Sequence, residues 1–261
     1  MGKIYRYECR RLLWNQFFVG LIAVLLCYGA LVLRDATILG VSHTAPFSPW
    51  SFGDYLCRML PLLWIGALFF LTFFTSNKAR RAAALTEAAP MRPARYTLAR
   101  CAAAFTGTVM LVLLCIVEAA VFYGRMFGWY DWESLVFPAL VTLLPPLVFA
   151  LGSGWLLGRL KPWLLYVWMA APVLLAVLPL PEVLGLWDGS FFTAYPLTLE
   201  GLDPAFTLPG PMVMAQLLLL AAGAVLLALG ERSEYSARDC APQPLKLSIH
   251  SGGIEHPCRC R

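Results

Sequence analysis

Glu118 is the only acid inside the long apolar runs of this chain, so any chemistry within a membrane would have to start there. A carboxyl at that depth is costly to keep and is a functional group by default, touching a substrate or a cation. It also stands near the outer end of its run. The surrounding Leu, Ile, Val and Phe residues, at about −0.3 to −0.6 kcal/mol each, offset an insertion cost of about 3 kcal/mol, so a Glu118 snorkelling towards Arg58 or the outer water is the plainer alternative. No second reactive group joins it. The histidines, His43, His250 and His256, all fall outside the apolar runs. That argues against an intramembrane Ser/His centre at Gly152-Ser153-Gly154, and without His-Glu-x-x-His there is no zinc peptidase motif. Those glycines read instead as points of close helix approach, together with Gly158. His256, Cys258 and Cys260 are the one grouping of soft-metal ligands, a weaker pattern than paired Cys-x-x-Cys knuckles, and the chain reads as metal-free. No Gly-x-x-x-x-Gly-Lys-Ser/Thr occurs, so any ATP and its Mg would be held by another polypeptide. The chain itself is expected to be neither an enzyme nor a cofactor carrier.

The elements that would position these residues follow from composition. Of 261 residues 60% are apolar and 13% charged, with mean hydropathy +0.70, which marks an integral membrane protein. An all-α polytopic protein with six spans is expected, at about 17–33, 56–75, 101–123, 134–157, 163–180 and 212–230. Residues 1–16, with Lys3, Arg6 and Arg10 on one face and Tyr5, Cys9 and Leu12 on another, predict an amphipathic helix along the membrane interface. Pro138, Pro145 and Pro146 predict a kink or break in the fourth span. Asp54 and Arg58, four residues apart, are expected to pair. Residues 181–211, rich in aromatics, form an external segment whose Trp187, Phe191 and Phe192, with Arg58 and Glu118, are the candidate gate or substrate contacts. Residues 231–261 read as a disordered cytoplasmic tail.

Charge orients the whole. All but three of the twenty Lys and Arg residues (Arg34, Arg58 and Arg125) fall in segments that share a side with both termini, so both termini are cytoplasmic. The expected setting is a bacterial inner membrane. A net charge of +5 reflects this topology and implies no nucleic acid. The densest basic stretch is 76–100, with Lys78, Arg80, Arg81, Arg92, Arg95 and Arg100 against Glu87. Ala79 to Ala89 favours a short helix, which Pro90 and Pro93 end before the next span. It would be a docking helix or, alternatively, a solvated loop held by anionic lipid headgroups.

Leu85-Thr86-Glu87-Ala88-Ala89-Pro90, followed by Arg92, Arg95 and Arg100, resembles the coupling segment of the permease subunits of type-2 ABC exporters. The order of elements over about residues 1–230 is similar as well. The usual acid and Gly early in that segment are missing from Ala79 to Ala84, and Arg100 stands for a Lys. The resemblance implies a permease that pairs with a second permease subunit, identical or related, above two copies of a separate ATPase. Arg80, Arg81, Glu87, Arg92 and Arg95 would dock the ATPase, residues 181–211 would gate the exit, and a hydrophobic or amphipathic lipid, peptide or drug would move outward. The competing classes are a non-transporting membrane scaffold or regulator, and a membrane-embedded enzyme.

Overall fold

The computed structural model describes residues 2–75, 93–178, 181, 184–199 and 203–239, with backbone alone at 93–97 and 231–239. Helices make up all the regular structure among these residues, and five are long and apolar enough to cross a membrane: Gln16–Leu39, Pro49–Thr75, Leu98–Phe127, Glu133–Leu160 and Gly210–Gly230. The chain is therefore an all-helical membrane protein.

Helix α1, Gly2–Leu13, buries Glu8 and Leu12, one turn apart, against its neighbours. Asn15 then caps α2, Gln16–Asp35, its side chain accepting from the Phe17 N–H at 3.3 Å. Helix α3, Pro49–Thr75, starts well before the expected residue 56. The reason lies in Ser48 and Pro49: the Ser48 hydroxyl accepts from the Ser51 N–H at 3.2 Å, and Pro49 occupies the first helical position, where no N–H is needed. Helix α4, Pro93–Phe127, is continuous for 35 residues, about 50 Å at 1.5 Å per residue, well beyond a 30 Å hydrocarbon core.

Helix α5, Glu133–Leu160, carries Pro138, Pro145 and Pro146 within one unbroken helical run, so the expected break is absent. The segment expected as a fifth span, 163–180, behaves differently. It forms two short helices, α6 at Trp163–Met169 and α7 at Ala171–Val177, and the apolar stretch Trp163–Val177 falls below the length of the five spans. Pro172 stands in the first turn of α7, where its missing N–H is harmless, whereas it would have cost an interior hydrogen bond in a continuous helix. After two one-turn helices, α8 at Gly185–Asp188 and α9 at Ser190–Ala194, the last helix α10 runs Gly210–Asp239. It continues past Gly230 into what the sequence suggests is a disordered tail.

Helix α3 is the most buried span and packs on α2, α4, α5 and the short helices, while α5 also clasps α10. Between lipid-embedded helices apolar burial has little preference for protein over lipid, so close backbone approach has to supply the attraction. Glycines supply it here. A Cβ on Gly152 would fall on the Gly223 carbonyl oxygen, and one on Gly223 would stand 2.7 Å from the Phe149 nitrogen. Gly154 receives Leu68, and a Cβ on Gly158 would stand 2.8 Å from Thr75 Cγ2. All three glycines of the α5 motif thus touch a neighbouring helix or its side chains.

Gly223→Ala, meeting backbone atoms that cannot rotate away, is expected to cost about 1–3 kcal/mol. Gly20→Ala, which meets nothing within 4 Å, should be neutral or slightly stabilising. Thermal unfolding of both variants in lipid nanodiscs checks this contrast.

Candidate functional site

Helix α3 carries Ser51, Asp54 and Tyr55 buried in its first two turns. Tyr55, fully buried, turns towards α4, and its hydroxyl lies 3.3 Å from the Cys115 carbonyl and 3.5 Å from Glu118 Oε2. The Glu118 carboxyl fills a notch on α2 left by the missing side chain of Gly29, where a Cβ would overlap Oε2 and stand 2.9 Å from Cδ. Its neighbours are therefore Tyr55, Gly29 and the Ala30 backbone. Arg58, the partner that sequence suggests for it, is engaged elsewhere: Arg58 Nε donates to Asp54 Oδ2 at 2.7 Å. The expected Asp54–Arg58 pair is present, with Asp54 buried and the guanidinium half-exposed. A carboxyl between two helices and a phenol can hold the contact or take up a cationic group.

The next face of α3 meets a cap formed by residues 184–199 and 203–208. Trp187, Phe191 and Phe192, all expected at a gate, belong to this cap and are buried, Trp187 against the main core and the two phenylalanines in a smaller cluster with Trp50. Trp187 lies edge-on to Trp64 with centroids 5.3 Å apart. Phe192 rests on Gly53, whose missing side chain makes room for the ring. Trp50, fully buried, is the centre of this cluster, with ring centroids 4.8 Å from Phe206 and 5.6 Å from Phe191, and its Nε1 donates to the Pro204 carbonyl at 2.8 Å. Cys57 Sγ donates to the Leu186 and Trp187 carbonyls at 3.1 and 3.3 Å, and the Ser42 hydroxyl donates to the Thr193 carbonyl. Gly189, at φ +80°, makes the turn that sets the cap beside Asp54. Sequence reasoning missed Trp50, Gly53 and Cys57 as cap contacts. The signal for Trp50 was Ser48-Pro49, which starts the helix early enough to include it.

At the opposite end, the foot, α1 lies across α4. Glu8 is buried, with Arg11 Nη1 and Arg100 Nε each 3.8 Å from one of its oxygens. Arg100 also lies over the Phe74 ring at 5.8 Å. Thr106 donates to the Ala102 carbonyl at 2.8 Å and so accepts from the Tyr5 hydroxyl at 2.7 Å. A Cβ on Gly107 would stand 2.8 Å from Phe70 and 2.9 Å from Leu12, so α1, α3 and α4 meet at this glycine. No family model matches the chain, and no curated protein or solved structure does. Of the expected docking residues, Arg80, Arg81, Glu87 and Arg92 lie outside the described residues, as do His256, Cys258 and Cys260. Arg95 belongs to the first turns of α4, described in backbone only.

Arg58→Met would leave Asp54 buried without its cation, an expected loss of about 2 kcal/mol. Adding Asp54→Asn should recover most of it. Unfolding midpoints of the single and double variants in nanodiscs test the pair; equal midpoints for wild type and Arg58→Met would contradict it.

Proposed function

We propose that the chain is the membrane-spanning permease subunit of an ATP-driven type-2 ABC exporter, with both termini in the cytoplasm of a bacterial inner membrane. The single observation that carries this reading is the clamp at the foot. A helix outside the spans, α1, is tied through buried Glu8 to Arg100, a few residues into the long helix that follows the basic segment 76–92. A push delivered to that segment would reach α4 directly and α2 through α1. Since the chain holds no phosphate-binding loop, the push must come from a separate ATPase docked on Arg80, Arg81, Glu87, Arg92 and Arg95. Two such ATPases beneath a pair of permeases would drive the cycle.

At the other end the cap packs on α3, the helix that also meets the foot through Phe70 and Phe74. Tilting α3 would therefore move Trp187, Phe191 and Phe192 as a unit and open the exit, while parting α2 from α4 would release Glu118. The aromatic cap and apolar helices suit a hydrophobic or amphipathic cargo. Treating the short helices α6 and α7 together as a sixth crossing completes the expected topology.

Mild-detergent purification of the tagged chain from its native host should bring down a soluble ATPase with a phosphate-binding loop, and Arg92→Glu should lose it. A chain that comes down alone in several detergents would favour the scaffold reading. In the reconstituted complex, Glu87→Arg is expected to uncouple hydrolysis from transport. Glu8→Ala should keep the ATPase bound yet lower the cargo moved per ATP, and unchanged coupling in both variants would contradict the assignment.

A further inference from the structure

Helices α3, α5 and α10 run in the same direction, and one contact fixes their register. The rings of Phe149 on α5 and Trp64 on α3 have centroids 6.1 Å apart, and a Cβ on Gly223 of α10 would stand 2.7 Å from the Phe149 nitrogen. Two helical turns back, seven residues on each helix, lie Thr142, Cys57 and Gln216. Their neighbours confirm the layer: Cys57 and Met212 belong to one buried cluster, Val141 packs against it, and Met212 is one turn from Gln216 on the same face.

This layer holds buried polar oxygens without partners. Thr142 and Gln216 are 1% and 5% exposed, and neither Thr142 Oγ1 nor Gln216 Oε1 has a hydrogen-bond partner among the described residues. Three prolines deepen the deficit. Pro145 and Pro146 lack the N–H groups that would bond the carbonyls of Val141 and Thr142, and Pro61 lacks the one that would bond the carbonyl of Cys57. Helical carbonyls point along the axis towards the following turn, so these oxygens and the two side-chain oxygens address one level of the three-helix junction. Buried acceptors of this kind demand a partner.

We propose that this junction of α3, α5 and α10 binds a small monovalent cation, with Thr142 Oγ1, Gln216 Oε1 and the proline-freed carbonyls of Cys57, Val141 and Thr142 as its oxygen ligands. Neutral oxygens suit such an ion, and the freed carbonyls of interrupted membrane helices are apt ligands for it. A divalent ion is disfavoured because it needs carboxylates in its coordination sphere. The two carboxylates nearest Cys57 are otherwise engaged: Asp54 pairs with Arg58, and Asp188 accepts from the Ser190 N–H and hydroxyl. The Cys57 thiol, donating to the Leu186 and Trp187 carbonyls, ties the site to the cap, so an ion here would strengthen the hold of the cap on the bundle. The proposal stands independently of the exporter reading.

The test is thermal unfolding of the purified chain in nanodiscs in sodium, potassium or choline chloride at equal ionic strength. Sodium or potassium should raise the midpoint by about 2–4 °C over choline. Thr142→Val and Gln216→Leu should abolish that difference, while Gln216→Glu, which keeps the shape and adds a charge, should enlarge it. The Glu variant keeps the test decisive if the Leu variant fails to fold. Equal midpoints in all three salts, or a salt difference unchanged in Gln216→Glu and Thr142→Val, would overturn the proposal.

Discussion

A helix surrounded by lipid gains little by exchanging acyl chains for leucines, so this fold depends on backbones that come close enough for dense packing. That approach is concentrated on α5. Gly152 faces α10 at Gly223, Gly154 receives Leu68 of α3, and Gly158 sits against Thr75 and Leu165. These contacts hold three parallel helices in one register. The polar layer around Thr142 and Gln216, the seat of the cap, and the level at which Trp64 meets Trp187 all follow from it. If α5 stood farther off, none of those side chains would meet.

Helix α3 then links the two ends of the bundle. Its first turns carry Trp50, Gly53 and Cys57 under the cap, its middle presents Tyr55 to Glu118, and its last turns place Phe70 and Phe74 against Gly107 and Arg100. An arrangement of this kind transmits rigid motion, because each end is fixed by close contact rather than by a long loop. It also divides the charges sensibly. Asp54 and Glu8 are buried beside cations at the cap and the foot, where an exposed or half-exposed arginine can reach them, and Glu118 is left among hydrogen-bond donors and small residues.

The sequence carried the fold class and the long apolar spans because both depend on composition and length. The Asp54–Arg58 pair and the close approach at the α5 glycines were also legible, since their spacing is local. The start of α3 was not: residues 49–55 look like a polar loop, and they are helical and buried beneath cap residues far along the chain, Phe191, Phe192, Pro204 and Phe206 among them. Glu118 was recognised as unusual, but its notch at Gly29 is a contact between helices that no periodicity encodes. The two halves of 163–180 were hidden because apolarity alone does not distinguish a continuous span from two helices separated at Ala170, ahead of Pro172. Prolines in α5 had the opposite outcome, tolerated within a helix held on two sides by α3 and α10.

On the proposed reading, movement imposed at the foot reaches the cap through α3 and α4. The most direct measurement is the distance between spin labels at exposed Thr193 in the cap and exposed Arg125 near the end of α4, in the chain reconstituted with the ATPase proposed for it. The account predicts that trapping ATP shifts this distance distribution and that Glu8→Ala blunts the shift. An identical distribution in nucleotide-free and ATP-trapped states, while the ATPase remains bound and active, would contradict it.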